Sequence, residues 1–226
     1  MRLSISVAAC VFGMAMGAKS ASADSIIFSN LNEANPSPGG YFFGWFQEND
    51  EDIPQSESWR ALQFEAQVTA NLDSITMPVT WHQAAPARGT GSLQIVLYSS
   101  DNGLPGTEIE SFTRTGESSS PLTQFDSVLH PQLRAGEMYF LAAQSTGYLE
   151  GEWFLATSGP HLQTAIRDGF DFHLQPWHQR DTVSTSAFRV TGDPLATPEP
   201  ATLLLVSGGL VALWRRRSQS CDSRCR

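Results

Sequence analysis

The densest group of ligand-type side chains in this 226-residue chain is Asp168, Asp171, His173, His178 and Asp181, gathered in one short stretch beside Trp177. Imidazoles and carboxylates are what a zinc-like ion takes, and two histidines five residues apart can converge in a loop. Asp171, His173, His178 and Asp181 are therefore the candidate metal ligands. Their spacing reproduces no established metal motif, so the plainer expectation is a solvated loop or strand end. Glu48, Asp50, Glu51 and Asp52 form a second cluster, and clustered carboxylates can bind Ca²⁺. They lack the Asp-x-Asp-x-Asp-Gly alternation, which favours a charged turn. A third group is aromatic: Tyr41, Phe42, Phe43, Trp45, Trp59, Trp81, Trp153 and Trp177. Flat rings stack on sugar C–H faces, yet a domain without disulfides needs most of them in its core. Trp177, next to Pro176 and between two histidines, is the candidate sugar contact.

Motifs that would organise such groups into catalysis are missing. The chain has no Gly-x-Ser-x-Gly elbow, no His-Glu-x-x-His and no phosphate-cradling Gly-x-x-x-x-Gly-Lys. Glycoside hydrolysis needs two carboxylates about 5–9 Å apart, but with 23 acidic residues a suitable pair arises by chance and discriminates nothing. The expectation is a protein without catalytic residues or cofactor, with Ca²⁺ only a weakly supported candidate ion.

The elements that must position these residues read as strands. Leu93, Ile95 and Leu97 alternate with Gln94, Val96 and Tyr98, the period-two pattern of a half-buried strand. Ile75, Met77 and Val79 repeat it, with Pro78 marking an edge or strand end. Segments 26–31, 41–46, 61–66, 107–112, 137–143, 152–156 and 187–190 complete about nine strands. Turn clusters separate them, among them Asp101-Asn102-Gly103, Arg134-Ala135-Gly136 and Ser158-Gly159-Pro160. Only His161–Arg167 looks briefly helical. The expected fold is all-β, a single jelly-roll-like β-sandwich.

Both ends read as addresses rather than as parts of that fold. Residues 1–23 carry Arg2, a small apolar stretch and Ala21-Ser22-Ala23, so signal peptidase is expected to cut after Ala23, recognising Ala21 and Ala23. At the other end Pro198-Glu199-Pro200 precede an apolar run, Ala201–Trp214, and then Arg215-Arg216-Arg217. As a short hydrophobic helix that run spans about 21 Å, against a bilayer core of about 30 Å. Its leucines and valines supply about 3 kcal/mol of insertion free energy, part of which Ser207, Gly208 and Gly209 return. Such a span suits transient membrane insertion, with the arginines held on the cytoplasmic side. All three cysteines (Cys10, Cys221 and Cys225) lie in these ends, so the domain between them has no thiol chemistry and no disulfide.

This C-terminal arrangement resembles the PEP-CTERM sorting signal of Gram-negative bacteria. The resemblance implies that exosortase recognises and cuts the tail, with Pro198, Glu199, Pro200, Arg215, Arg216 and Arg217 as recognition residues. It further implies an exported protein of the cell surface or extracellular matrix, briefly anchored in the inner membrane, in an organism that makes exopolysaccharide. The chain departs from the usual pattern in continuing past Arg217 as a polar extension, 218–226. The region between the ends resembles the choice-of-anchor R domain through Phe28-Ser29-Asn30-Leu31, the run Leu97–Gly106, the run Leu133–Leu141 and Phe188-Arg189-Val190-Thr191-Gly192. That resemblance implies architecture and surface location, and no activity.

The domain order is then a signal peptide 1–23, a β-domain 24–192, a linker 193–197, a sorting signal 198–217 and the extension. The formal charge of −9 conceals a contrast. Residues 24–196 hold 7 arginines, no lysine and 21 acidic residues, a net of −14. Such a domain is a poor partner for nucleic acid, and it would meet an acidic polysaccharide only through bridging cations. The functional expectation is a structural or adhesive surface protein associated with exopolysaccharide. A carbohydrate-binding or ice-binding module is the alternative, and a secreted hydrolase the third.

Overall fold

The computed structural model describes residues 24–31, 40–46, 56–83, 90–119, 122–157, 159–170, 173–180 and 185–195. Fifteen strands run through them in chain order: β1 Ser25–Ser29, β2 Gly40–Phe46, β3 Ser56–Glu65, β4 Ala70–Met77, β5 Val79–Gln83, β6 Ser92–Asp101, β7 Leu104–Thr115 and β8 Thr123–Asp126. They continue as β9 Gln132–Leu133, β10 Met138–Thr146, β11 Leu149–Phe154, β12 Thr164–Phe170, β13 His173–Leu174, β14 His178–Arg180 and β15 Arg189–Pro194. All the described pairings between these strands are antiparallel, and among the described residues there is no helix, so the all-β expectation holds. Pro78 falls between β4 and β5, where its missing N–H costs no ladder bond.

The strands divide between two sheets. The smaller has the order β1-β15-β4-β8, with β9 also on β4. The larger runs β5-β11-β2-β3-β10-β6-β7, and β12 adds to β3 while carrying β13 and β14. Alternation sends one face of each sheet into a shared core. Ile27, Phe28, Leu72, Ile75 and Val190 from the small sheet meet Leu62, Phe64, Leu97, Leu141 and Trp153 from the large one. Rings dominate the centre: Phe188 lies 4.9 Å from Phe28, 5.5 Å from Phe64 and 5.9 Å from Trp153. Tilted and edge-on ring pairs of this kind add to the area they bury. Two polar groups beside these rings are satisfied: Trp153 Nε1 donates to Ala187 O at 2.8 Å and Asn30 Oδ1 accepts from Phe188 N at 2.8 Å.

Local chemistry closes the ladders. Asn102 and Gly103 take φ of 51° and 77°, which turns β6 into β7 as an Asn-Gly hairpin does. Gly151 sits opposite Phe43, and a Cβ there would collide with the Phe43 ring. The absent side chain is what lets that ring lie flat on β11.

The helical expectation for His161–Arg167 is wrong. Thr164–Phe170 is strand β12, paired with β3 from Thr164↔Leu62 to Phe170↔Ser56. A segment of seven residues cannot sustain an isolated helix, whereas β3 offers it a full row of backbone partners. The predicted signal (Ala21, Ala23), the acidic cluster Glu48–Asp52 and the whole tail lie outside the described residues.

Candidate functional site

A second, smaller cluster occupies the other face of the large sheet. Leu62 and Phe64 of β3 point into the main core, so Trp59, Ala61 and Gln63 point away from it. Ala61, Phe140, Ala142 and Ala165 are buried there, with Tyr98, Leu104 and Trp177 packed against them. Alanines at three of these positions leave the sheet face nearly flat, and larger rings lie across it. Trp177 meets Tyr98 edge-on at 6.2 Å. Its strip of chain is tied down by amides: Gln163 Nε2 and Gln179 Nε2 both donate to Gly103 O, at 2.8 and 3.3 Å. The β12–β14 strip therefore reaches the β6–β7 turn. Trp177 is half-buried, with its ring shared between this cluster and solvent.

Around the cluster lies a polar rim. The Arg167 guanidinium sits 5.1 Å above the Trp59 ring, and Arg167 Nε donates to Gln175 O at 2.8 Å. Gln63 Nε2 donates to Ser100 Oγ at 3.0 Å, and Gln144 Nε2 to Gln94 Oε1 at 2.7 Å. Burial, reinforced by Glu108, pushes the Tyr98 hydroxyl above its ordinary range. Half-exposed rings bordered by amides and a guanidinium are chemistry that suits sugar hydroxyls and C–H faces.

The metal candidates are not assembled by the described residues. His178 opens β14, is exposed, and its Nδ1 lies 3.4 Å from Pro176 O. His173 opens β13 opposite Phe170, and Asp168 pairs with Ser58. Asp171 and Asp181 lie outside the described residues. Among the described residues no three His, Cys, Asp or Glu side chains are placed to hold an ion. The aromatics divide as a disulfide-free domain requires: Phe43, Trp81 and Trp153 are buried, whereas Phe42 keeps 53% of its surface exposed.

A trough of about 660 Å³ runs between the edge strands β7 and β8. Sequence reading did not single it out, because each of its walls is an ordinary alternating strand and only the end of each sheet's order makes it an edge. Glu110, only 4% exposed, closes its floor. The Glu110 carboxylate accepts from Ser127 Oγ at 2.7 Å, from Val128 N at 2.7 Å and from Leu129 N at 3.1 Å. Arg114 spans the other end, its Nη2 donating to Gln124 O at 3.2 Å and its guanidinium 5.6 Å from the Phe125 ring centre. A third polar region surrounds Asp73, whose carboxyl is held above the usual range by burial, then by Asp24 and Asp193.

Among the described residues no helix is long and apolar enough to cross a membrane. No curated protein is significantly similar to the chain. Residues 196–217 do match the PEP-CTERM protein-sorting motif, which marks an exosortase-sorted surface protein.

Proposed function

We propose that the protein is a non-catalytic structural or adhesive component of the cell surface or extracellular matrix, associated with exopolysaccharide. The sorting motif carries this reading. It begins at residue 196, directly after β15 ends at Pro194, and β15 is held between β1 and β4. The tail thus leaves a finished β-domain from its sheet, as a detachable address should. On this reading signal peptidase cuts after Ala23, the run Ala201–Trp214 inserts briefly in the inner membrane of a Gram-negative cell, and exosortase then removes it. Two sheets around one core agree with a jelly-roll sandwich of the choice-of-anchor R kind. Sugar contact would fall on the rim formed by Trp59, Tyr98, Arg167 and Trp177.

Deleting residues 198–226 tests the sorting step, and surface attachment of the truncated chain at the wild-type level would refute it. Co-sedimentation of the exported protein with the host's own polysaccharide tests the association. With a domain at −14, binding to an acidic polysaccharide is expected to need divalent cations and to vanish on chelation. No binding with or without cations would remove the polysaccharide role while leaving the sorting step intact.

A further inference from the structure

Three side chains stand abreast on the outer face of the large sheet. Arg167 lies opposite Trp59 in the β12–β3 ladder. The β12–β14 ladder pairs Ile166 with His178, so one step further along brings Trp177 level with Arg167 on its other side. Ala165, two residues before Arg167, is buried in the outer cluster, and alternation puts Arg167 on that same face. All three side chains are half-buried, so each keeps part of its surface in solvent. The guanidinium between the two indoles is fixed but not neutralised. It sits 5.1 Å from the Trp59 ring centre and its Nε donates to Gln175 O at 2.8 Å, while Gln175 N donates to Asp168 O at 2.8 Å. Among the described residues neither Nη group donates to a protein acceptor, and no carboxylate lies within ion-pair distance of Arg167. Residues 24–196 hold 21 acidic residues and 7 arginines, so an arginine held in place without a carboxylate stands out against the composition. Its charge reaches Tyr98, where it opposes the rise that burial and Glu108 impose on the hydroxyl.

We propose that Arg167 is an anion subsite that takes the carboxylate of an acidic sugar, a hexuronate, whose ring lies against Trp177. The inference rests on the reading of this rim as a polysaccharide contact, and adds the class of sugar. A guanidinium presents N–H groups in a fork that matches a carboxylate, a group that a neutral sugar lacks. Stacking on an indole and bonding through Nε hold that fork in place beforehand, so little side-chain freedom is lost on binding. Neighbouring strands lie about 4.8 Å apart, so a carboxylate at Arg167 sets the attached ring over the next side chain in the row. On one side that is Trp59, whose ring already carries the guanidinium; on the other it is Trp177, which offers an indole to the C–H face of a pyranose. A peptide carboxylate would meet the same fork but bring no such face. A single uronate carries one charge and meets far less repulsion from a domain at −14 than a charged polymer does. This contact is therefore expected without divalent cations, which only the whole polysaccharide requires.

The exported protein, isotope-labelled on its tryptophans, is titrated in metal-free buffer with glucuronate, glucose and acetate, and the indole N–H signals are followed by NMR. Loss of one signal in Trp177→Phe identifies Trp177. The expected result is glucuronate binding at least ~10-fold tighter than either glucose or acetate, with Trp177 among the signals that move. Arg167→Gln should bring glucuronate down to the glucose level. Arg167→Lys keeps the charge without the fork and should restore little of the preference. Arg180→Gln removes an exposed charge from the same strip and should leave the preference intact. If the ligand-free indole signals of Arg167→Gln show that the strip has moved, Arg167→Lys against Arg180→Gln carries the comparison. Glucuronate no tighter than glucose, acetate as tight as glucuronate, or Arg180→Gln as damaging as the Arg167 variants would overturn the proposal. None of those results touches co-sedimentation with the polysaccharide. Loss of co-sedimentation with glucuronate binding intact would instead overturn the polysaccharide reading and keep the subsite.

Discussion

The two faces of the large sheet are built from different materials. Towards the small sheet, β3 and β10 present Leu62, Phe64, Tyr139 and Leu141 to a core that includes Trp153 and Phe188. On the opposite face the same strands present Ala61, Phe140 and Ala142, covered by Trp177 and Leu104. The first face gains its stability from large rings in mutual contact. The second depends on one strip of chain lying over small side chains, held at the Gly103 carbonyl by two glutamines. A face of the first kind is closed by large rings; on the second, Tyr98, Leu104 and Trp177 remain partly exposed.

The largest effect expected from this contrast is at Trp153. Trp153→Ala opens a cavity beside Phe188 and leaves Ala187 O without its indole donor, and should cost about 3–5 kcal/mol in urea unfolding. A cost below about 1 kcal/mol would break the comparison, because the main core would then be no more demanding than the outer cluster. Trp177→Ala, which removes a half-buried ring from the alanine face, should cost about 1–2 kcal/mol by the same measurement. If it also weakens polysaccharide co-sedimentation beyond what that loss explains, the outer face is sharpened from a cover into a contact.

The smallest effect lies on the small sheet. Burial, then Asp24 and Asp193, hold the Asp73 carboxyl above its ordinary range, with Asp126 adding to the rise and His130 opposing it. The folded state therefore binds this proton more tightly than the unfolded chain. The associated stability is complete at acid pH and is lost as pH rises through the raised value. Asp73→Asn should raise Tm slightly at pH 7, and the gain should vanish at about pH 3, where the wild-type carboxyl is already protonated. A gain that persists unchanged at acid pH would show that packing, not charge, is responsible.

Much of the β architecture was legible because its signals are local. Alternation in Ser92–Tyr98, the Asn102-Gly103 turn and Pro78 all act within a few residues, and all three stand where the pattern puts them. The short strands β8 and β9 were not legible, since two to four residues carry too little periodicity. Nor was β12, whose backbone partners lie on β3, about a hundred residues earlier in the chain. The candidate sugar contact Trp177 was legible as an aromatic, but its half-buried position against Tyr98 depends on three separate segments meeting.

By itself the sequence determined the address, the thiol-free acidic domain and the strand class, because short motifs, composition and period-two patterns need no distant partner. Only the tertiary structure decided which tryptophans are core, which strands end a sheet, and that Glu110 is a buried acceptor rather than a surface charge. Each of those outcomes depends on pairings between residues far apart in the chain. Burial is a property of what arrives on the other side, and no single strand records it.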